Sequence, residues 1–235
     1  MSDSRPPLVA HIIYALGTGG LENGLVNIIN RSPPDRYRHA IICLTSAEDF
    51  AQRITAPGVR IIELNKKPGQ DIGVYWRLWL ALKELNPSIV HTRNLAALET
   101  QWLGVLMPGT KRVHGEHGRD IGDLDGRNWK YLALRKLMKL MVHRYIAVSQ
   151  DLASWLTDVV RVNPNSMRQI YNGVDQDFFF PPIDSDSKKG LPSWFVSPGE
   201  CIVLGTVGRL AEVKDQARVL EAMAIIFGKE PSLKD

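Results

Sequence analysis

The feature that most constrains this chain is a repeated alternation of short apolar runs with helical patterns. Strand candidates are Leu8–Tyr14, Ala40–Thr45, Val59–Leu64, Ser88–Thr92, Arg112–Glu116, Tyr145–Val148 and Gln169–Tyr171. Helical stretches lie between them near Leu21–Asn30, Phe50–Thr55, Ile72–Leu85, Ala96–Val105, Asn128–His143 and Asp151–Val160. At roughly 25 to 30 residues per strand-and-helix unit, such strands run parallel and are joined by right-handed crossovers. The first run is apolar almost throughout, as a strand covered on both faces must be. The expected fold is therefore α/β, a doubly wound parallel sheet of Rossmann-like type, over residues 1–175. Such a sheet says nothing by itself about chemistry.

The pattern breaks after Val174. Residues 176–200 are rich in Pro, Asp, Ser and Lys and read as an inter-domain linker. Its aromatics, Phe178, Phe179, Phe180, Trp194 and Phe195, are expected to dock on a neighbouring surface. A strand at Cys201–Val207 and a helix from Asp215, its N-cap, to Phe227 then open a second α/β unit over 201–235. One strand and one helix cannot bury a core, so this unit reads as incomplete. The length of 235 residues agrees, being about one and a half domains.

Composition excludes several classes. With 44% hydrophobic and 23% charged residues the chain is neither collagen-like nor disordered. No apolar run approaches the roughly 18 residues of a membrane span, and the start lacks an apolar signal region. The expected location is the cytoplasm, with Cys43 and Cys201 as buried thiols in apolar runs. A net charge of +4 biases the chain toward anionic partners such as nucleotide diphosphates or lipid headgroups, and is too small to imply nucleic acid.

In an open parallel sheet, ligands bind beyond the carboxyl ends of the strands. Four clusters fall there. Gly17-Thr18-Gly19-Gly20-Leu21-Glu22 lies between the first strand and first helix, where backbone amides approach an anion or sugar closely. A dinucleotide fingerprint would need glycine where Glu22 stands, and a P-loop would need Gly-Lys-Ser/Thr. A tight turn without a ligand is the bland alternative. His114, Glu116 and His117 close the fifth strand. They match no zinc spacing, and His114 reads equally as a buried structural residue. A cleft-facing His117 would donate a hydrogen bond to a hydroxyl or a developing charge. Asn172-Gly-Val-Asp175 alone is a turn. Arg209 and Lys214, flanking a helix start, make a diphosphate grip or solvated surface charge.

Taken together and in this order, the clusters resemble a retaining GT-B glycosyltransferase of family 4, closest to bacterial exopolysaccharide sugar transferases. The resemblance rests on Gly-Thr-Gly-Gly-Leu-Glu-Asn, His-Gly-Glu-His-Gly-Arg-Asp, Ala147-Val-Ser149, Asn172-Gly-Val-Asp175 with Phe178–Pro181, and Val207-Gly-Arg209-Leu…Lys214-Asp215. It implies a nucleotide-diphosphate sugar donor held on Gly19, Gly20, Arg209 and Lys214. It places a glycan or lipid-linked acceptor near Gly17, Thr18 and Glu22, with Ser149, Asn172 and Asp175 lining the cleft and His117 as the catalytic residue. Cations and amides would stabilise the leaving group, so no metal and no cofactor are implied. The family's paired second-domain glutamates, separated by seven residues, are missing: no glutamate here has another eight positions on. The expectation is a chain truncated within its C-terminal domain and inactive alone. A non-catalytic sugar- or lipid-binding module remains the alternative, and a nicotinamide-dependent oxidoreductase is weakened by Glu22.

One helix adds a further reading. Over Asn128–Tyr145, Arg135, Lys136, Lys139 and His143 fall on one face, and Leu134, Leu137, Met138 and Met141 on the other. This is either a sheet-covering helix with a solvated basic face, or a peripheral contact with the anionic inner face of the plasma membrane.

Overall fold

The computed structural model of the chain describes residues 5–177, 179–180, 204–208, 210 and 214–229. The chain divides into two compact units, Met1–Gly173 and Val174–Asp235. In the first unit β1 (Leu8–Ile13) is buried at every position, because both faces of the sheet are covered there. Beside it run β2 (Arg38–Cys43), β3 (Arg60–Glu63), β4 (Ile89–Arg93), β5 (Lys111–Glu116), β6 (Arg144–Ala147) and β7 (Met167–Gln169). They form one seven-stranded sheet in the order β3-β2-β1-β4-β5-β6-β7, every pair parallel. The expected doubly wound sheet is the observed one.

Alternation along the strands sorts residues between two faces. Ile13, Ile41 and Cys43 point toward α1 (Gly20–Arg31) and pack on its Leu25, Val26 and Ile29. Ala10, Ile12, Ile42 and Val90 point the other way, toward Val74, Leu78, Ala81 and Leu82 of α2 (Gly73–Leu85). The helical period of that apolar stripe holds α2 on the sheet until Asn86, which ends the helix in the left-handed conformation (φ 44°). Farther along the same face, Tyr145 and Ala147 pack with Met138 of α5 (Trp129–Met138) and with Leu152, Trp155 and Leu156 of α6 (Gln150–Asp158). Cys43 is buried, and burial pushes its thiol up to about 12; Cys201 lies outside the described residues.

Three expectations are corrected. The single helix expected over Ala96–Val105 is two short ones, α3 (Asn94–Leu98) and α4 (Gln101–Val105). The break lets the fully buried Gln101 amide drop onto the sheet, where it donates to Thr92 Oγ1 and the Val113 carbonyl, both at 2.7 Å. The strand expected at Cys201–Val207 is absent over its described part, residues 204–207, where Leu204 and Val207 stand exposed; among the described residues no strand pairs with them. Arg209 and most of the linker lie outside the described residues, and Phe180 is exposed rather than docked. The second-unit helix, α7, runs over Gln216–Lys229.

The basic face read on α5 also fails in part. The helix ends at Met138, followed by one tight 3-10 turn, so His143 is off it and instead accepts the Arg112 N–H at 3.0 Å. Arg135 is buried: its Nε donates to Glu116 Oε1 at 2.8 Å, its Nη2 to Asp120 Oδ2 at 3.0 Å, and its guanidinium lies over the Trp155 ring. The Lys139 ammonium is tied to the carbonyls of Val160 and Arg161. Leu137, expected inside, is exposed. Arg135 therefore joins α5 to the end of β5. Replacing it with methionine strands the Glu116 carboxylate, and the expected loss is about 3–5 kcal/mol of unfolding free energy by urea titration. A loss within about 0.5 kcal/mol, typical of a surface arginine, would contradict this role.

Candidate functional site

Strand order reverses between β1 and β4, and the carboxyl ends of both strands open on the crevice where sheets of this kind take ligands. The glycine turn leaves β1 there. Leu16 N–H donates to the Ser46 carbonyl at 3.0 Å and Thr45 N–H to Tyr14 at 2.8 Å, which lash the turn to the segment after β2. Gly19 caps α1 in extended backbone (φ −169°), so its lack of a side chain serves space and not torsion. A Cβ at Gly19 would collide with the Glu22 carboxylate, and one at Gly17 would stand 2.8 Å from Glu48 Oε2. Two carboxylates therefore lie against the turn. Nothing lies near the Cβ direction of Gly20, and Thr18 is exposed. The turn offers acceptors for hydroxyls at the same place as the amides of the α1 N-terminus.

The end of β5 supplies His117. Its N–H donates to Asn94 Oδ1 at 2.7 Å, and its Nε2 accepts from Arg93 Nη1 at 2.9 Å. A guanidinium only donates, so Nε2 is the acceptor and Nδ1 carries the hydrogen. That Nδ1–H is buried and has no hydrogen-bond partner among the described residues. Burial, with Arg93 and His114 adding to it, takes the ring down to about 4, so His117 is a neutral donor near pH 7. Gly115 makes this packing possible: a Cβ there would stand 3.0 Å from His117 Nε2 and 3.2 Å from His91 Nε2.

His114 and Glu116 face the opposite side of the sheet. His114 is fully buried, bonded to Thr92 Oγ1 at 2.8 Å and 3.5 Å from Glu116 Oε1. Burial pushes the Glu116 carboxyl up, but the bonds to His114 and Arg135 outweigh it and hold Glu116 ionised. His114, Glu116 and His117 therefore do not converge on one point.

Ser149 ends β6 as the N-cap of α6, its Oγ accepting from Leu152 N–H at 3.2 Å. Asn172 follows β7 and is exposed. Gly17, Thr18, Gly19, Gly20, Glu22, His117 and Ser149 thus all lie at the carboxyl edge of the first unit. Asp175 belongs to the second unit, where its Oδ1 accepts from Asp177 N–H in a local turn. Lys214 lies in that unit too, its aliphatic stem against Gly208. Arg93, Asn94 and Glu48 were missed by the sequence reading. A signal for the first two exists: the apolar strand Ile89-Val90 turns polar at His91-Thr-Arg93-Asn94, at the carboxyl end where ligands bind.

On the same face of the sheet as Arg93, a row of histidines runs inward. His91 pairs with His11 across the β1–β4 register, and His11 Nε2 lies 3.1 Å from His39 Nδ1. Burial lowers all three, with Arg93 also depressing His11 and His91.

A family model, Glycosyltransferase Family 4, matches residues 18–178. Among solved structures, HepE of Anabaena in complex with UDP-glucose superposes with a TM-score of 0.69 at 17% identity, covering 93% of this chain and 57% of its own. A glycosyltransferase from Rickettsia africae gives 0.66 at 15% identity, covering 97% and 63%. Sucrose-phosphate synthase from Thermosynechococcus elongatus gives 0.56 at 15%, covering 79% and 53%. At such identities the likeness is one of fold. The chain spans a little over half the length of the structures it matches. No curated protein sequence matches it.

The depressed histidines make stability depend on pH. Below the ordinary value of 6.5 the unfolded chain takes up protons that folded His11, His39, His91 and His117 refuse. Their contribution is therefore complete above pH 6.5 and declines as the pH falls toward about 4, the folded value for His117. Each fully buried ring of this kind withdraws up to about 1.4 kcal/mol per pH unit in that window. Urea midpoints are expected to be level above pH 7 and to drop steeply between pH 6.5 and 5. A flat profile through that range would show the rings to be ordinarily hydrated.

Proposed function

The chain belongs to Glycosyltransferase Family 4, and from that premise we propose that it forms the acceptor side of an enzyme moving a sugar from a nucleotide-diphosphate donor to a glycan or lipid-linked acceptor, with retention at the anomeric carbon. The observation that carries this reading is the meeting, at one sheet edge, of the glycine turn at the start of α1 with a neutral His117 whose Nδ1–H is unspent. The donor diphosphate is assigned to the amides of Gly19 and Gly20 together with Arg209 and Lys214. These supply the positive charge that a departing diphosphate needs, without a metal cofactor. Acceptor or sugar hydroxyls are assigned to Gly17, Thr18 and Glu22, with Ser149, Asn172 and Asp175 lining the cleft. His117 donates its Nδ1–H to a hydroxyl or to charge developing on the sugar.

The Glu22 carboxylate over Gly19 adds a step. A phosphate arriving at the start of α1 repels it, so donor binding swings Glu22 toward the hydroxyls it is to receive. UDP-glucose, as donor, and UDP, its leaving group, are the first ligands to test by thermal shift. Both should stabilise the chain, Lys214→Ala should remove much of the shift, and Glu22→Gln should tighten UDP binding a few-fold. Stabilisation by NAD and not by any nucleotide sugar would overturn the reading.

Access to a lipid-linked acceptor supports a peripheral location on the inner face of the plasma membrane, in a role in exopolysaccharide synthesis. No helix among the described residues is long and apolar enough to cross a membrane. With Arg135 buried, the surface for such contact is Trp129, Lys130, Lys136 and Leu137 of α5 with Leu140 of the following turn, all exposed. Co-sedimentation with anionic vesicles should fall several-fold when Lys130 and Lys136 are changed to glutamate. Equal binding by the two proteins would remove the membrane from the account.

A further inference from the structure

Two arginines of the first unit are equally buried, and only one has a counter-charge. Arg135, 2% exposed, meets the carboxylates of Glu116 and Asp120. Arg93, 3% exposed, meets none: among the described residues its one polar side-chain partner is the neutral ring of His117. Its Nε is buried with no partner among the described residues. The titratable groups around it are of one kind. His11 and His91 share its face, His117 lies above it, and the nearest buried carboxylate, Glu116, is on the other face and already paired to Arg135. Burial with no compensating anion lowers the guanidinium to about 10, whereas Glu116 holds Arg135 raised.

An unpaired guanidinium withdrawn from water is among the costliest things a fold can keep, and such groups gather where a ligand completes them. The position fits. Arg93 is the last residue of β4, at the point where strand order reverses. Its neighbour Asn94 holds the left-handed conformation (φ 56°) while gripping the N–H of His117. An uncompensated cation with an unused Nε–H thus stands at the ligand edge of the sheet.

We propose that Arg93 binds a phosphate group of a substrate through the donors it does not spend on His117. A guanidinium presents its N–H groups as a planar fork, and two oxygens of a phosphate accept from one edge of it. The phosphate belongs either to the nucleotide donor or to a phosphorylated acceptor. That choice of source rests on the glycosyltransferase reading; the phosphate site itself does not.

Calorimetric melting of the chain with inorganic phosphate, hexose 1-phosphate and UDP tests this. The ligand responses are read on wild type, Arg93→Met, and Arg93→Gln, whose amide still donates to His117 but carries no charge; a fourth protein, Arg135→Met, is melted without ligand as the reference. Without ligand, Arg93→Met is expected to melt no lower than wild type, since an apolar side chain replaces an unpaired buried cation. Phosphate in the tens of millimolar should raise the wild-type Tm by about 2–4 °C and leave both variants unmoved. A hexose 1-phosphate response lost in the variants, with the UDP response intact, assigns the site to an acceptor; loss of the UDP response assigns it to the donor. The proposal is overturned if Arg93→Met melts as low as Arg135→Met, or if Arg93→Gln responds to phosphate as wild type does, because Arg93 then only positions His117. A phosphate response without any response to UDP or UDP-glucose would count against the glycosyltransferase reading while sustaining this one.

Discussion

Every strand of the first unit runs the same way, and that single constraint arranges the rest. Parallel strands need a crossover each, and right-handed crossovers leave β1 toward one edge and β4 toward the other, with helices on opposite faces. All carboxyl ends then share one side of the sheet. Residues that are far apart in the chain, such as Gly19, Arg93, His117 and Ser149, reach the same edge without any long-range contact having to select them. The chemistry is gathered by topology first and tuned by side-chain contacts afterwards.

The tuning differs between the two faces. On the face toward α2 and α5, charge is buried in matched form: Glu116 meets Arg135 and His114, and the helix is fastened to the sheet. On the face toward α1, the buried polar groups are Arg93 and a row of neutral histidines with no carboxylate among them. The first arrangement holds structure together; the second leaves a positive potential at the ligand edge, which suits anionic substrates. A row of rings kept unprotonated by burial, with one guanidinium adding to it for His11, His91 and His117, also means that an arriving anion favours proton uptake nearby.

Much of this was legible in the residue order. Strand and helix periods placed all seven strands to within a few residues and predicted the parallel sheet, and the glycine turn and His117 stood out from their position after strands. Other parts were hidden for physical reasons. Arg135 follows the spacing of a solvated face, and only the distant carboxylates of Glu116 and Asp120 draw it inward. Thr100 and Gln101 carry no breaker signal, yet the buried amide of Gln101 has sheet partners that a continuous helix would forgo. Arg93 ends a strand that turns polar, but its neighbours do not reveal what sets it apart, which is the lack of an acid in space. Periodicity reports which way a side chain points; it does not report what waits there.

The Glu48 carboxylate against Gly17 carries one more consequence. Glu48 does not belong to the glycine turn; it comes from the segment that follows β2, and a few backbone hydrogen bonds hold that segment in place. The polarity felt by a hydroxyl at the turn is thus written partly in a separate loop. A chain of this architecture can alter the polarity at the turn by lengthening, shortening or recharging the β2–β3 connection while the turn itself stays untouched. A charge reversal at Glu48 would then be felt at Gly17 without any change in the residues of the turn.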